Sequence, residues 1–400
     1  MNARIVRILA FALIAGCGGG GSGGRPETPS RFLYASAYGG PNSFPTDIYG
    51  FAVDSGGALS AVPGSPAPGA DDGSIGRFTI TPDSKFLYTT TNVELEAFQI
   101  NPDGSLTSAP SPSFSLFIPA SLVAHPTADF LYVGTTSGVL SVFAINPETG
   151  GLKQTSSASL GSNIEVGNFA VITPDGRYLY QGNLYSAPAG IGPVATQLQL
   201  AGFSIDSVTG ALSAVPGSPV SLMISSNSDT LFNTMAIDPT GKFLYAGYEF
   251  DVGNVGFDGA VATYSIDAGS GALTAVPGSP FSVGGVPNSV AIDASGSFLI
   301  VSISPRLGGA PGNCLAVLSI DAGTGALASV PGSPFGPQSC GPVTADPSEP
   351  FVYAGVGSAT GPAAVLVLSL DQTTGALATI GQTAIPDSTK VGVGSIALTH

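Results

Sequence analysis

Beyond residue 30 the chain is a succession of short apolar runs separated by clusters of Gly, Pro, Asp and Ser. The runs are rich in Val, Ile, Phe, Tyr and Leu and too short for helices. Such runs bounded by turn residues predict strands. The stretch from Thr234 to Val276 shows one complete unit. It predicts strands at 234–238, 243–247, 260–266 and 271–276, with turns at Pro239 to Lys242 and at Asp267 to Gly271. In those turns Gly supplies positive φ and Asx side chains bond the backbone that follows. A Phe-Leu-Tyr tripeptide, or a close variant, marks the second strand of each unit. It starts at Phe32, Phe86, Phe130, Tyr178, Phe243, Phe298 and Phe351, so copies lie 44 to 65 residues apart. That period suits a four-stranded blade and is too long for helical-hairpin or leucine-rich repeats. The fold class is therefore all-β, a seven-bladed β-propeller with four antiparallel strands per blade.

The two ends of the array are complementary. The first tripeptide has no inner strand before it, while Gly394 to Thr399 is a spare inner-strand sequence that aligns with Asn288 to Asp293. The expectation is that this C-terminal strand completes blade one and closes the ring. Closure protects sheet edges that would otherwise template aggregation. The period also sorts the connections. The tight turns between the first and second strands, and between the third and fourth, share one face. The other face is expected to receive the long variable loops at 38–47, 182–197, 247–259 and 302–312, together with the Val-Pro-Gly-Ser-Pro segments at Val62, Val215, Val276 and Val330. Loops on rigid scaffolds carry function, which makes the loop-rich face the candidate site. The aromatic side chains of the tripeptide are expected to be mainly blade core.

The N-terminus adds an address. Arg4 and Arg7 precede a short apolar run from Ile8 to Ala15, the layout of an export signal. Ile14-Ala15-Gly16-Cys17 resembles the lipobox of bacterial lipoproteins, which implies a signal peptide over 1–16 and a lipidated Cys17. Residues 17–30 then form a Gly-rich tether, and 31–400 the propeller. With Gly18 after the cysteine, a lipid-anchored place at the outer membrane, periplasmic or surface side, is expected. The net charge of −15 with only 11 Lys and Arg leaves no basic stripe for phosphates, so nucleic acid is not an expected partner. A monomer is expected.

Segments such as Ile172 to Tyr180 and Ile237 to Tyr245 resemble the YVTN-type repeat of the lactonase-like seven-bladed propellers, the family of 6-phosphogluconolactonase. The resemblance covers nearly the whole mature chain. It implies histidine or Arg-His just before the inner strand and acidic residues after the second strand. The matching positions here are Asn168, Asn233 with Thr234, and Asn288. Glu249 matches a family glutamate, and Asn183 stands where an aspartate is common. Opening a lactone needs a base for water and a donor for the oxyanion. Glu249 is the candidate catalytic base, and the asparagines or Arg77 are candidate donors. The same asparagines are equally the residue type that caps inner strands at a pore mouth. Glu165, Arg77 and Arg306 are expected near the same rim.

Other chemistry finds little support. His125 and His400 cannot make a paired-imidazole zinc site or a Ser-His-Asp triad, and the Gly-x-Ser-x-Gly match at 20–24 lies in the tether. Each Asp in the third turns supplies one carboxylate among glycines, short of a calcium shell. No metal or cofactor is expected. Cys314 and Cys340 fall in connections on one face, and an exported chain with an even pair favours a disulfide. Two functions follow as expectations: a ligand- or protein-binding module of the cell envelope working through the loop-rich face, or a lactonase with a divergent site.

Overall fold

The computed structural model describes residues 31–39, 47–68, 76–91, 94–110, 119–161, 164–186, 196–222, 231–251, 257–304, 313–337, 339–357 and 362–399. Cys17, Arg306, His400 and the side chains of Glu165 and Asn168 lie outside them. The strands form seven sheets, each built on an antiparallel path of four. Blade five runs Leu231–Ile237, Phe243–Asp251, Phe257–Ile266 and Leu273–Ala275. Its first three strands outrun the sequence expectation at the loop-rich end. Residues 247–251 and 257–259 thus belong to paired strands, with Phe250 opposite Asp258. The 182–197 connection shrinks in the same way, because Tyr178–Ser186 pairs with Thr196–Ile205 as far as Ser186 and Thr196.

The ring closes as a clasp. The C-terminal strand Gly392–Leu398 pairs with Arg31–Tyr38, Leu33 lying opposite Leu398, and so becomes the inner strand of blade one. Three polar contacts lock this joint. The Thr399 hydroxyl accepts the Phe32 N–H at 2.7 Å, Lys390 pairs with Asp47 at 2.8 Å, and Arg31 of blade one pairs with Asp346 of blade seven.

The tripeptide couples blades as well as filling them. Side chains alternate across a strand, so Phe32 and Tyr34 face blade two while Leu33 faces blade seven. The same division repeats around the ring. Buried apolar side chains form seven clusters, each shared by two adjacent blades. The first aromatic of each blade lies beneath a glycine in the next blade's third turn: Phe32 under Gly104, Phe86 under Gly150, Phe130 under Gly210, Tyr178 under Gly271, Phe243 under Gly325, Phe298 under Gly375, and Phe351 under Gly57. All seven glycines have φ between 71° and 81°. A Cβ on any of them would approach the ring closer than 3.0 Å. Five tyrosines add a hydrogen bond to the same turn. Tyr34 donates to the Gly104 carbonyl at 2.8 Å, Tyr88 to Gly150 at 2.7 Å, Tyr132 to Gly210 at 3.1 Å, Tyr180 to Gly271 at 2.7 Å and Tyr245 to Gly325 at 3.4 Å. Burial holds these phenols well above their ordinary pKa, so they remain donors.

The Val-Pro-Gly-Ser-Pro segments do not join the loop-rich face. Each is a type II turn on the outer edge, with Pro at its second position and a positive-φ Gly at its third. Val62 donates to the Gly50 carbonyl at 3.1 Å and the Ser65 hydroxyl accepts the Gly50 N–H at 3.0 Å. Ser218, Ser279 and Ser333 repeat this with Gly202, Thr263 and Val317. In blades one, four and five the chain then pairs with the third strand a second time. The outer strand is thereby broken into short pieces, one way of making an exposed edge a poor template.

Cys314 and Cys340 form a disulfide with a Cα–Cα distance of 5.5 Å, inside the cluster shared by blades six and seven. Closing a loop over a sequence separation of 26 stabilises by about 3 kcal/mol in the chain-entropy model. Replacing both cysteines with serine should lower the urea midpoint accordingly, and an unchanged midpoint would show that the bond adds no stability. The glycine contacts admit a paired test. Gly271 and Gly278 both have positive φ, but a Cβ at Gly278 meets nothing within 4 Å. Gly278→Ala should cost about 1 kcal/mol from backbone strain alone. Gly271→Ala adds a clash with Tyr178 and should cost about 2–4 kcal/mol. Equal losses in chemical denaturation would refute the aromatic contact as the source of the difference.

Candidate active site at the channel mouth

The inner strands ring the central channel, and their N-terminal ends lie at the loop-rich face. There the structure relocates the expected site residues. Asn233 and Asn288 do not precede the inner strand but lie within it. Phe232 pairs with Tyr248 and Thr234 with Gly247, leaving Asn233 as the extra residue of a bulge. Pro287 pairs with Ile303 and Ser289 with Ser302, leaving Asn288 in the same situation. Blade four carries a wider irregularity, with Val166 opposite Asn183 and Ala170 opposite Gln181, so Asn168 falls in the bulge as well. An extra residue bends the strand and re-aims its side chain. Period and propensity gave no sign of it, because the bulge shows only in the pairing register.

The bulged asparagines make equivalent contacts in neighbouring blades. Asn233 Nδ2 donates to Glu249 Oε2 at 3.5 Å, and Asn288 Nδ2 donates to Ser304 Oγ at 2.8 Å. Glu249 lies within the second strand, between Leu231 and Gly259, rather than after it. Asn183 likewise lies inside Tyr178–Ser186. Thr234 and Ser289, next to the bulges, tie the inner strands together. The Thr234 hydroxyl accepts the Val290 N–H at 2.9 Å, and the Ser289 hydroxyl accepts the Val343 N–H at 3.1 Å.

Arg77 directly precedes the inner strand Phe78–Ile80 of blade two. Its guanidinium reaches past blade three to lie 4.1 Å from the ring centroid of Phe169 in blade four. Burial pushes it down to about 10, so it stays protonated at neutral pH. Beside it, the Ser121 hydroxyl donates to Gln181 Oε1 at 2.7 Å, and Gln181 Nε2 donates to the Phe169 and Gly182 carbonyls at 2.8 Å. Gln181 and Ser121 are fully buried, and sequence reasoning missed both. An amide in a strand position that is Ala35 or Val133 in other blades is the signal that could have found Gln181.

The opposite face uses its polar groups locally. His125 Nε2 is 2.9 Å from the Gly176 carbonyl, its Nδ1 accepts the Thr127 N–H at 3.2 Å, and burial lowers its pKa. In the third turns Asp267 Oδ1 accepts the Ser270 N–H and hydroxyl at 2.8 and 2.7 Å, and Asp321 treats Thr324 in the same way. These bonds hold both carboxyls below the usual range. Among the described residues, no group of three or more His, Cys, Asp or Glu gathers to hold a metal ion.

What the mouth offers is a carboxylate held by a bulge asparagine in blade five, an amide–hydroxyl pair in blade six, and a stacked guanidinium between blades two and four. Comparison with known proteins agrees with the architecture. A family model described as "Lactonase, 7-bladed beta-propeller" matches residues 31–168. No curated protein matches the chain by sequence. Among solved structures, a putative 6-phosphogluconolactonase from Bacteroides fragilis superposes with a TM-score of 0.65 at 17% identity, covering 94% of this chain and 100% of its own. The periplasmic gluconolactonase of Pseudomonas aeruginosa gives 0.65 at 16% identity, covering 93% and 99%. One from Bacteroides uniformis, also a putative 6-phosphogluconolactonase, gives 0.63 at 15%, covering 92% and 99%. With seven four-stranded sheets completing the ring, the chain is a seven-bladed β-propeller, and from its first blade into its fourth it is similar to the lactonase propellers.

Proposed function

We propose that the chain hydrolyses lactones of sugar acids at the loop-rich mouth of the channel. The observation that carries this reading is the Glu249 carboxylate held by Asn233, a residue whose direction is set by a bulge in the inner strand. Glu249 takes a proton from water as the water oxygen bonds to the lactone carbonyl carbon. Amide N–H groups of the bulge asparagines receive the negative charge that builds on the carbonyl oxygen. Collapse of the tetrahedral centre breaks the ring C–O bond. The departing alkoxide recovers a proton, and the product is the open hydroxy acid. The lactonase match over residues 31–168 and the names of the superposable structures favour this chemistry over pure binding.

A binding module is the second reading, and one observation favours it. Thr234 stands where the family resemblance implies an imidazole, and its hydroxyl is engaged in joining blades five and six. Either function fits an envelope protein tethered through a lipid on Cys17.

Two measurements decide these points. Hydrolysis of D-glucono-δ-lactone, followed by pH-stat, should exceed the buffer rate, and Glu249→Gln should lower kcat about a hundred-fold or more with an unchanged Tm. A wild-type rate equal to buffer rejects the lactonase and leaves the binding module. For the tether, Cys17→Ser should move the protein from the membrane pellet to the soluble fraction; a variant that stays in the pellet would reject lipid anchoring at that residue.

A further inference from the structure

Two polar groups near the channel mouth are left over by the chemistry assigned to Glu249, and both belong to the sector from blade two to blade four. The first is the Arg77 guanidinium. Among the described residues no carboxylate and no hydrogen-bond acceptor meets it; its one side-chain contact is the face of Phe169. Arg31, by contrast, is paired with Asp346. A half-buried guanidinium stacked on a ring, with no carboxylate partner among the described residues, is a group to which a ligand can supply the anion. Stacking on a ring occupies the flat face of a guanidinium and leaves its edge N–H donors in the plane free.

The second group is the side-chain amide of Asn183. It is 1% exposed, and neither its Oδ1 nor its Nδ2 has a hydrogen-bond partner. Strand alternation places it with Leu179 and Gln181 on the face turned to blade three, two residues nearer the mouth than Gln181. The Gln181 amide is satisfied by Ser121 and two carbonyls, whereas the Asn183 amide is not. The matching position in the other blades is Ala37, Thr91, Thr135, Tyr248, Ile303 and Val356, so blade four alone places an amide there. Buried amides without partners are rare enough to demand a reason.

We propose that this sector is a carboxylate-binding subsite, in which the Arg77 fork takes a ligand carboxylate and Asn183 supplies the amide at its back. The inference rests on the sugar-acid reading for the rest of the ligand. It makes the substrate class lactones of dicarboxylic sugar acids, with the free carboxylate in blades two to four and the ester carbonyl toward Glu249 in blade five. A planar fork carrying a single charge matches a carboxylate. A phosphate would bring close to two negative charges against one cation, in a chain whose net charge is already −15.

The test is calorimetric titration of the full chain with D-glucarate, D-gluconate, inorganic phosphate and the neutral polyol D-glucitol. Glucarate should bind and glucitol should not. Arg77→Gln should weaken glucarate about ten-fold or more while the ligand-free Tm stays equal or rises, because no ion pair to a described residue is lost. Asn183→Leu should weaken glucarate in the same direction. Glucarate affinity unchanged in Arg77→Gln, phosphate bound in preference to both acids, or a lower ligand-free Tm together with no acid binding in the wild type would each overturn the subsite. The two proposals separate cleanly. Lactone hydrolysis without acid binding removes the subsite and leaves the lactonase; glucarate binding retained in Glu249→Gln, with no hydrolysis by the wild type, does the reverse.

Discussion

The aromatic ring beneath a glycine of the next blade is the contact on which the propeller depends. A blade alone is a small twisted sheet with two apolar faces, and it cannot bury either of them by itself. The tripeptide gives each blade a forward-facing aromatic and a backward-facing aliphatic, so every sheet is glued on both sides. The glycine then fixes the register. Only a residue without a Cβ admits the ring at that distance, and only glycine adopts the turn's φ of 71° to 81° without strain. Because Phe351 reaches Gly57, the contact is cyclic and no blade is left without a neighbour.

The departures from this rule are themselves informative. At the six–seven interface Ile300 replaces the tyrosine, and that interface carries the Cys314–Cys340 disulfide. At the seven–one interface the Tyr353 hydroxyl has no partner, and there the Arg31–Asp346 pair and the C-terminal clasp join the blades. The two interfaces that lack the tyrosine–carbonyl bond therefore each hold a different tie. A ring with one weak joint opens at that joint, so the strength of all seven interfaces matters more than the strength of any one.

Rigid scaffolding of this kind frees the mouth of the channel to be irregular. Bulges in the inner strands of blades four, five and six break the ladder where it approaches the loop-rich face. Each extra residue is an asparagine or lies beside one, and in blades five and six the amide turns to a side chain of the second strand. The polar groups of the tight-turn face are spent on backbone, within the turn for Asp267 and both within it and across to blade four for His125. The polar groups of the mouth are only partly spent, and Arg77 and Asn183 are the clearest cases.

The amino-acid sequence by itself determined the architecture, because blade-forming interactions are local and repeated. Apolar runs, turn residues and the Phe-Leu-Tyr period read directly as strands, and the spare Gly394 to Thr399 segment read as the clasp. What it could not carry was whatever depends on register between strands or on contacts between blades. The bulges that put Asn233 and Asn288 inside the inner strand appear only when the second strand is laid beside it. The Val-Pro-Gly-Ser-Pro segments look like face loops in sequence, yet they bond the middle of the third strand and belong to the outer edge. The tripeptide aromatics read as blade core, but each one is finished by a glycine 64 to 93 residues away in the next blade or, for Phe351 and Gly57, across the closure. The stack of Arg77 on Phe169 joins residues two blades apart, and no periodicity within a blade can foretell it. Local patterns set the strands; the ring decided which side chains meet at its mouth.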